Sequence, residues 1–205
     1  MNVLFIDTAC GTRALLVVGA DRFYDENDRN AGSETLMPMI DGLLKRAGIA
    51  LADVDLFGAC IGPGSFTGLR IGLTTVKAFC YCTDKPCFAV NNLRLCSYNN
   101  NGGKVVSIAD AGNKVCYVAS YDGDTELDPP ECMTVDDAKA YVAAHDGYKV
   151  SVDKKLAATF DGKVGVGERE LYTAVQKHAG ETLDAKALLP LYVRKAQPER
   201  GEGDL

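Results

Sequence analysis

Hydrophobic and polar positions follow two rhythms along this chain, and the places where one gives way to the other mark out its elements. "NVLFID", ending at Asp7, and "RALLVVG" are short apolar runs separated by the small-residue stretch "TACGT". They predict two strands joined by a tight turn containing Gly11. "RFYDEND" (Arg22 to Asp28) adds a third, more exposed strand. From Ser33, read as an N-cap, Leu36, Met39, Ile40, Leu43, Leu44 and Ala47 recur at helical spacing, and Gly48 closes the helix. Pro38 falls in its second turn and is expected to kink it or delay its start. "VDLFGACIG" then reads as a buried strand, residues 66–82 as a long apolar helix, and "CFAV" as another strand.

"NNNGGK" (Asn99 to Lys104) is the most polar stretch and the natural boundary. It divides the chain into lobes at 1–98 and 104–205. "VVSIADAGNKVCYVASYD" opens the second lobe with another strand pair. A capped helix follows from Thr134 to His145, then a strand at "KVSV" and a helix from Glu168 to His178, with Pro190 as a breaker before "LYVRKA". "GKVGVGERE" (Gly162 to Glu170) reads as a strand-to-helix turn. The two openings, "LFIDTACGTRALLVV" and "VSIADAGNKVCYVAS", share one order: strand, Asp, small residue, Gly-containing turn, strand. Asp110 follows Asp7 at an offset of 103 residues, about half the chain, which suggests an internal duplication of one α/β unit.

The stretch "CIGPGSFTGLRIGLTTVKAFCYC" poses the main functional question. Its glycines invite a phosphate-loop reading, but Leu69-Arg70 stands where a Walker loop needs Lys-Ser/Thr, and the spacing fits neither that loop nor a dinucleotide fingerprint. On a helix, Gly68, Gly72, Thr75 and Phe79 form one stripe, with Arg70, Thr74, Lys77 and Tyr81 opposite. A mid-helix glycine costs about 0.8–1 kcal/mol relative to alanine, so two on one stripe imply that a backbone comes close. Tight packing within the chain and contact with another protein both account for the stripe.

Composition narrows the field. The net charge is −6, with 22 basic and 28 acidic residues, a poor balance for a chain that grips nucleic acid alone. The charges of the tail from Leu191 to Leu205 sum to zero, so no basic arm is expected there. No run approaches the length of a membrane span, and the opening residues enter a strand without a signal-peptide pattern. Eight cysteines show no Cys-x-x-Cys pair, and His145 and His178 lie apart, so no metal site is expected. Reduced core cysteines in a cytoplasmic protein are the reading that fits. No Ser-His-Asp set can be assembled, and Asp136-Asp137 is explained by a helix N-terminus. The candidate phosphate-facing group is the first hairpin, Asp7, Thr8, Gly11 and Thr12. An Asp that caps its own turn accounts for the same residues.

"FIDTA", "SETLMPMIDGLL", "IGPGSFTGLRIGLTTVKAF" and "PLYVRKA" resemble the TsaB (YeaZ) family, which serves formation of N6-threonylcarbamoyladenosine in tRNA. The resemblance is concentrated in residues 1 to about 95. It implies an α/β, actin-like (ASKHA, RNase H-like) duplicated fold with two small lobes. It further implies a non-catalytic activating subunit acting with TsaD, the catalytic relative, and with the ATPase TsaE, next to the anticodon of tRNAs that read codons beginning with A. Family chains form homodimers in isolation and meet tRNA only through the complex, with no membrane involved. No cofactor is required by the chain itself, and ATP or ADP is a candidate only at the complex. The partner interface implied is Gly64, Ser65, Phe66, Thr67, Gly68, Leu69, Arg70, Gly72, Thr75 and Phe79 of the glycine helix, with Leu36 and Ile40 of the helix before it. On this view Gly68 and Gly72 let a partner helix approach. Family members commonly carry His before the Ser-Glu of the first helix, where Gly32 stands here. The competing reading is an independent actin-like ATPase or small-molecule kinase.

Overall fold

The computed structural model describes residues 1–27 and 33–194. Gly32, the Ser33 cap and the charges of the tail beyond residue 194 lie outside the described residues or side chains. In chain order the elements are β1 (Asn2–Asp7), β2 (Thr12–Val18), β3 (Asp21–Asn27), α1 (Ser33–Ala47), β4 (Leu56–Cys60), α2 (Phe66–Thr83), β5 (Cys87–Val90) and α3 (Asn92–Ser97). Then come β6 (Lys104–Gly112), β7 (Val115–Asp122), β8 (Thr125–Thr134), α4 (Val135–Ala144), β9 (Lys149–Val152), β10 (Lys163–Val164) and α5 (Glu168–His178).

Two compact units result, one built from Met1–Asn91 with Gly167–Pro190, the other from Asn92–Val166 with Leu191–Leu205. These bounds differ from the expected division at 98/104. The crossover lies at Asn91/Asn92, because the short α3 packs on β6, and α5 belongs to the first unit, where it packs on β1, β2 and β5.

The first unit holds a five-stranded mixed sheet in the order β3-β2-β1-β4-β5. β1 is antiparallel to β2 and parallel to β4. Alternation along the strands sends Leu4, Ile6, Leu16, Phe57 and Ala59 to one face, where α1 and α2 cover them with Leu36, Ile40, Leu43, Leu73, Val76 and Phe79. Phe5 and Phe88 meet on the other face with ring centroids 5.5 Å apart. The buried side chains of α5 are Leu171, Ala174, Val175 and Glu170. Pro38 neither delays nor ends α1, which runs through it from Ser33, with Pro38 on an exposed position.

The second unit repeats the plan: its strands run β10-β9-β6-β7-β8, which is the same order read from the other edge. The duplication extends to atoms. Asp7 pairs in register with Arg13, and Asp110 with Cys116, at equal spacing. The Asp7 carboxylate accepts from the Ala9 amide at 2.9 Å, and Asp110 accepts from the Gly112 amide at 3.0 Å. The predicted cap of α4 forms, with Thr134 Oγ1 accepting from the Asp137 amide. β8 and α3 carry no signal used above. β8 contains Pro129-Pro130 and three acidic residues, and it is tolerated as an edge strand, where a missing N–H faces outward.

Candidate functional site

The residues singled out from the sequence converge on one place in the first unit, where the β1–β2 hairpin meets the start of α2. Asp7 is fully buried, and its carboxylate receives Arg13 Nη1 at 3.0 Å besides the Ala9 amide. Arg13 is itself only 4% exposed, and its Nε lies 3.8 Å from Glu26. Burial alone would lower the Arg13 pKa, but the Asp7 charge and hydrogen bond outweigh it and the net direction is up. Burial first, then the Asp7 charge, push the nearby Cys60 thiol up. Asp7 is thus neutralised and hydrogen-bonded from within the fold, which realises the turn-capping reading of the hairpin.

Thr8 and Thr12 are buried too, and neither hydroxyl finds a hydrogen-bond partner among the described residues. Gly11 is half-buried at the turn. What fills the space beside Thr8 is α2. A Cβ on Gly72 would stand 2.2 Å from Thr8 Oγ1, and one on Gly64 would stand 2.5 Å from the Ala9 carbonyl oxygen. The Ser65 amide donates to that carbonyl at 2.8 Å, and the Ser65 hydroxyl caps α2 by accepting from the Gly68 amide at 3.1 Å. Helix and hairpin are therefore stitched together, and Gly72 is small because the chain's own hairpin leaves no room there.

The chain's own hairpin thus accounts for the smallness of Gly72, one of the two glycines of the stripe. Gly68, Leu69, Gly72, Phe79, Leu36 and Ile40 are buried, and Leu36, Ile40 and Phe79 belong to the core of the first unit. Gly64 and Thr75 are half-buried, with the Thr75 hydroxyl donating to Ile71 O at 2.9 Å. Ser65, Phe66, Thr67 and Arg70 are exposed, and the Arg70 guanidinium stacks on the Phe66 ring at 4.0 Å. The exposed strip continues along α2 through Thr74, Ala78, Tyr81 and Cys82, and Met37 is exposed on α1. Sequence reasoning missed Arg13, the partner of Asp7. Its signal was a cation at the second position of an otherwise largely apolar strand.

No group of three or more His, Cys, Asp or Glu side chains among the described residues could hold a metal ion. No helix among them is long and apolar enough to cross a membrane.

The profile of the TsaD family, tRNA N6-adenosine threonylcarbamoyltransferase, matches residues 28–158. The chain belongs to this family. Among curated relatives, the tRNA N6-adenosine threonylcarbamoyltransferase of Sphingopyxis alaskensis is 45% identical over 60 residues, which cover 29% of this chain and 17% of that protein. The tRNA threonylcarbamoyladenosine biosynthesis protein TsaB of Haemophilus influenzae is 33% identical over 96 residues, covering 45% of this chain and 40% of the relative. The chain thus spans less than half the length of these curated relatives. YeaZ from Pseudomonas aeruginosa matches in structure with a TM-score of 0.78 at 19% identity, covering 93% of this chain and 99% of that one. At that identity the match shows the fold alone, a duplicated pair of α/β units. The chain resembles TsaB (YeaZ), as its opening motifs imply, and carries the family's architecture in both units.

Proposed function

We propose that the chain is a non-catalytic, activating subunit in the formation of N6-threonylcarbamoyladenosine in tRNA, acting with a TsaD-type transferase and a TsaE-type ATPase. The observation that carries this reading is the filled hairpin. In an actin-like nucleotide site the first-hairpin carboxylate must be available to metal-bound phosphate, and here Arg13 and the Ala9 amide already occupy Asp7. The family membership and the TsaB likeness supply the pathway. In this reading the chain needs no nucleotide of its own, ATP or ADP enters with the complex, tRNA is held by the complex, and the chain is a homodimer when alone, in the cytoplasm.

The proposed contact surface is the exposed part of the strip, Ser65, Phe66, Thr67 and Arg70 with Met37 at its side. An aromatic ring stacked under an arginine is the chemistry of an interface anchor. Phe66→Asp and Arg70→Glu are expected to weaken association with the transferase by at least about tenfold, since anchor residues carry most of an interface's energy. Their thermal midpoints should stay near that of the parent, because both side chains point outward. Calorimetric titration beside a melting curve measures both, and unchanged affinity would move the interface elsewhere.

The decisive experiment is reconstitution. Cognate TsaD, TsaE and the threonylcarbamoyl-adenylate synthase are incubated with tRNA, with this chain present or omitted, and the modified nucleoside is quantified. Product that depends on the chain supports the subunit role. Equal product without it overturns that role.

A further inference from the structure

In the second unit, α4 ends on His145, whose amide closes the last turn by donating to the carbonyls of Tyr141 and Val142. One ring nitrogen repeats that contact: His145 Nδ1 lies 2.8 Å from the Tyr141 carbonyl oxygen. A carbonyl can only accept, so Nδ1 carries a proton. The other nitrogen, Nε2, faces the carboxylate of Asp128 on the edge strand β8, with Oδ2 at 3.6 Å. That partner too is an acceptor. A neutral imidazole has a single N–H, and the Tyr141 carbonyl takes it. A second proton gives the ring a donor for each acceptor and sets a positive charge at the C-terminal end of a helix, where the dipole favours it.

The surroundings suit that cation. Tyr141 stacks on the His145 ring with centroids 4.0 Å apart, and Tyr148, in the turn after α4, makes a T-shaped contact with it at 4.9 Å. Lys104 of β6 lies over the Tyr148 ring at 5.2 Å and is the cation that faces this cluster from the sheet. Asp128 is itself anchored by two hydroxyls, since Ser120 of β7 and, at 2.6 Å, Tyr141 both donate to its Oδ2. The β7–β8 register is irregular on either side of Ser120, so side chains reinforce the strand pairing where the ladder is broken. The bonds from Ser120 and then Tyr141 hold the Asp128 carboxyl below its ordinary range. Burial, then Asp128, push the Tyr141 phenol up to about 12, so it remains a donor near neutrality.

We propose that His145 is a proton-operated clasp, which ties the C-terminal end of α4 to the edge strand β8 through Asp128 when its ring takes a second proton and releases it when the ring is neutral. The direction follows from the partners. An imidazole ordinarily takes up that proton at about pH 6.5. In the fold the charged ring has two acceptors and a counter-charge, whereas the neutral ring turns the bare Nε2 toward a carboxylate. Acidification from about pH 8 to about pH 5.5 therefore tightens the contact between α4 and β8. Asp128 does not reverse this within that window. Its carboxyl is lowered in the fold, so its share is present above the unfolded carboxyl range and is lost only as pH falls through the lowered one.

The test uses the full chain. Ring nitrogens are observed by NMR, and deuterium exchange through β8 is followed by mass spectrometry, both at about pH 8 and about pH 5.5. The neutral His145 ring is expected to carry its one proton on Nδ1. Exchange is compared at each pH with His145→Gln, which keeps a polar side chain but cannot become a cation. The protection of wild type relative to this variant should rise about twofold on acidification, the size expected of a partly exposed ion pair. In an Asp128→Asn background the same comparison should lose that rise, since the pair then lacks its anion. Packing lost in a variant is the same at both pH values and leaves the rise untouched, and the NMR result needs no variant at all. A neutral ring protonated on Nε2, a ratio that does not change with pH, or a rise undiminished by Asp128→Asn would each overturn the proposal.

Discussion

Gly72→Leu is expected to destroy the folded first unit, not merely to loosen its grip on another protein. The new Cβ alone would meet Thr8 Oγ1 at 2.2 Å, with Thr8 Cγ2 at 3.2 Å and Thr8 Cβ at 3.3 Å behind it. Neither side can yield cheaply. Thr8 is 1% exposed in a hairpin whose next carbonyl is bonded to the Ser65 amide, and a Cβ added at Gly64 would meet the same Ala9 oxygen. Removing a mid-helix glycine returns only about 1 kcal/mol, whereas overpacking of this kind costs about 1–3 kcal/mol and more when backbone must move. The informative version is a cycle with alanine. Gly72→Ala should lower the denaturant midpoint in the parent, and should be close to neutral in a Thr8→Ala background, where the hydroxyl and methyl are gone and the remaining Cβ stands at 3.3 Å. The expected coupling is about 1–3 kcal/mol. A Gly72→Leu chain that melts normally and loses only partner binding would mean that the stripe faces outward after all.

Arg13→Met should be nearly as damaging. It leaves the Asp7 carboxylate, with no exposed surface, facing the core without its cation. Breaking one side of a buried ion pair costs about 3–5 kcal/mol because the surviving charge has lost its compensation. The Ala9 amide remains as a donor and moderates the loss without replacing a charge. Asp7→Asn in the Arg13→Met background should restore much of the stability, since two neutral groups then share the site. Urea unfolding of the two single variants and the double one measures this. A shift within about 0.5 kcal/mol for Arg13→Met, as at an ordinary surface position, would show that the pair is incidental.

Both outcomes turn on what the sequence displays and what it hides. The outward face of α2 is legible in advance: Arg70, Thr74 and Tyr81, expected opposite the glycine stripe, are exposed. The stripe itself is legible only as smallness. That the neighbour is Thr8, in a hairpin more than sixty positions away, is a tertiary fact with no periodic signal. The same limit applies to the end of α5. Its helical span is readable from Glu168 to His178, but its place on the first sheet is not, because an amphipathic stripe does not name the sheet it covers. β8 is hidden by Pro129-Pro130, since its pairing is provided largely by the apolar β7 beside it. The duplication is the opposite case. Asp7 and Asp110 announce it because one turn, with one side-chain bond to the amide two residues on, was kept in both halves.

The route of the chain through its two units sets an order of assembly. It leaves the first unit at Asn91 and returns at Gly167. As the ribosome releases the polypeptide, the strands of the first sheet and the helices α1 and α2 emerge early, while α5, which packs on β1, β2 and β5, arrives only after the whole stretch from 92 to 166. Domains generally fold as they emerge, N-terminal parts first, but here the intervening unit can complete its sheet while the earlier one still lacks a helix. During that interval the nascent chain presents the face of β1, β2 and β5 that its own later segment will meet.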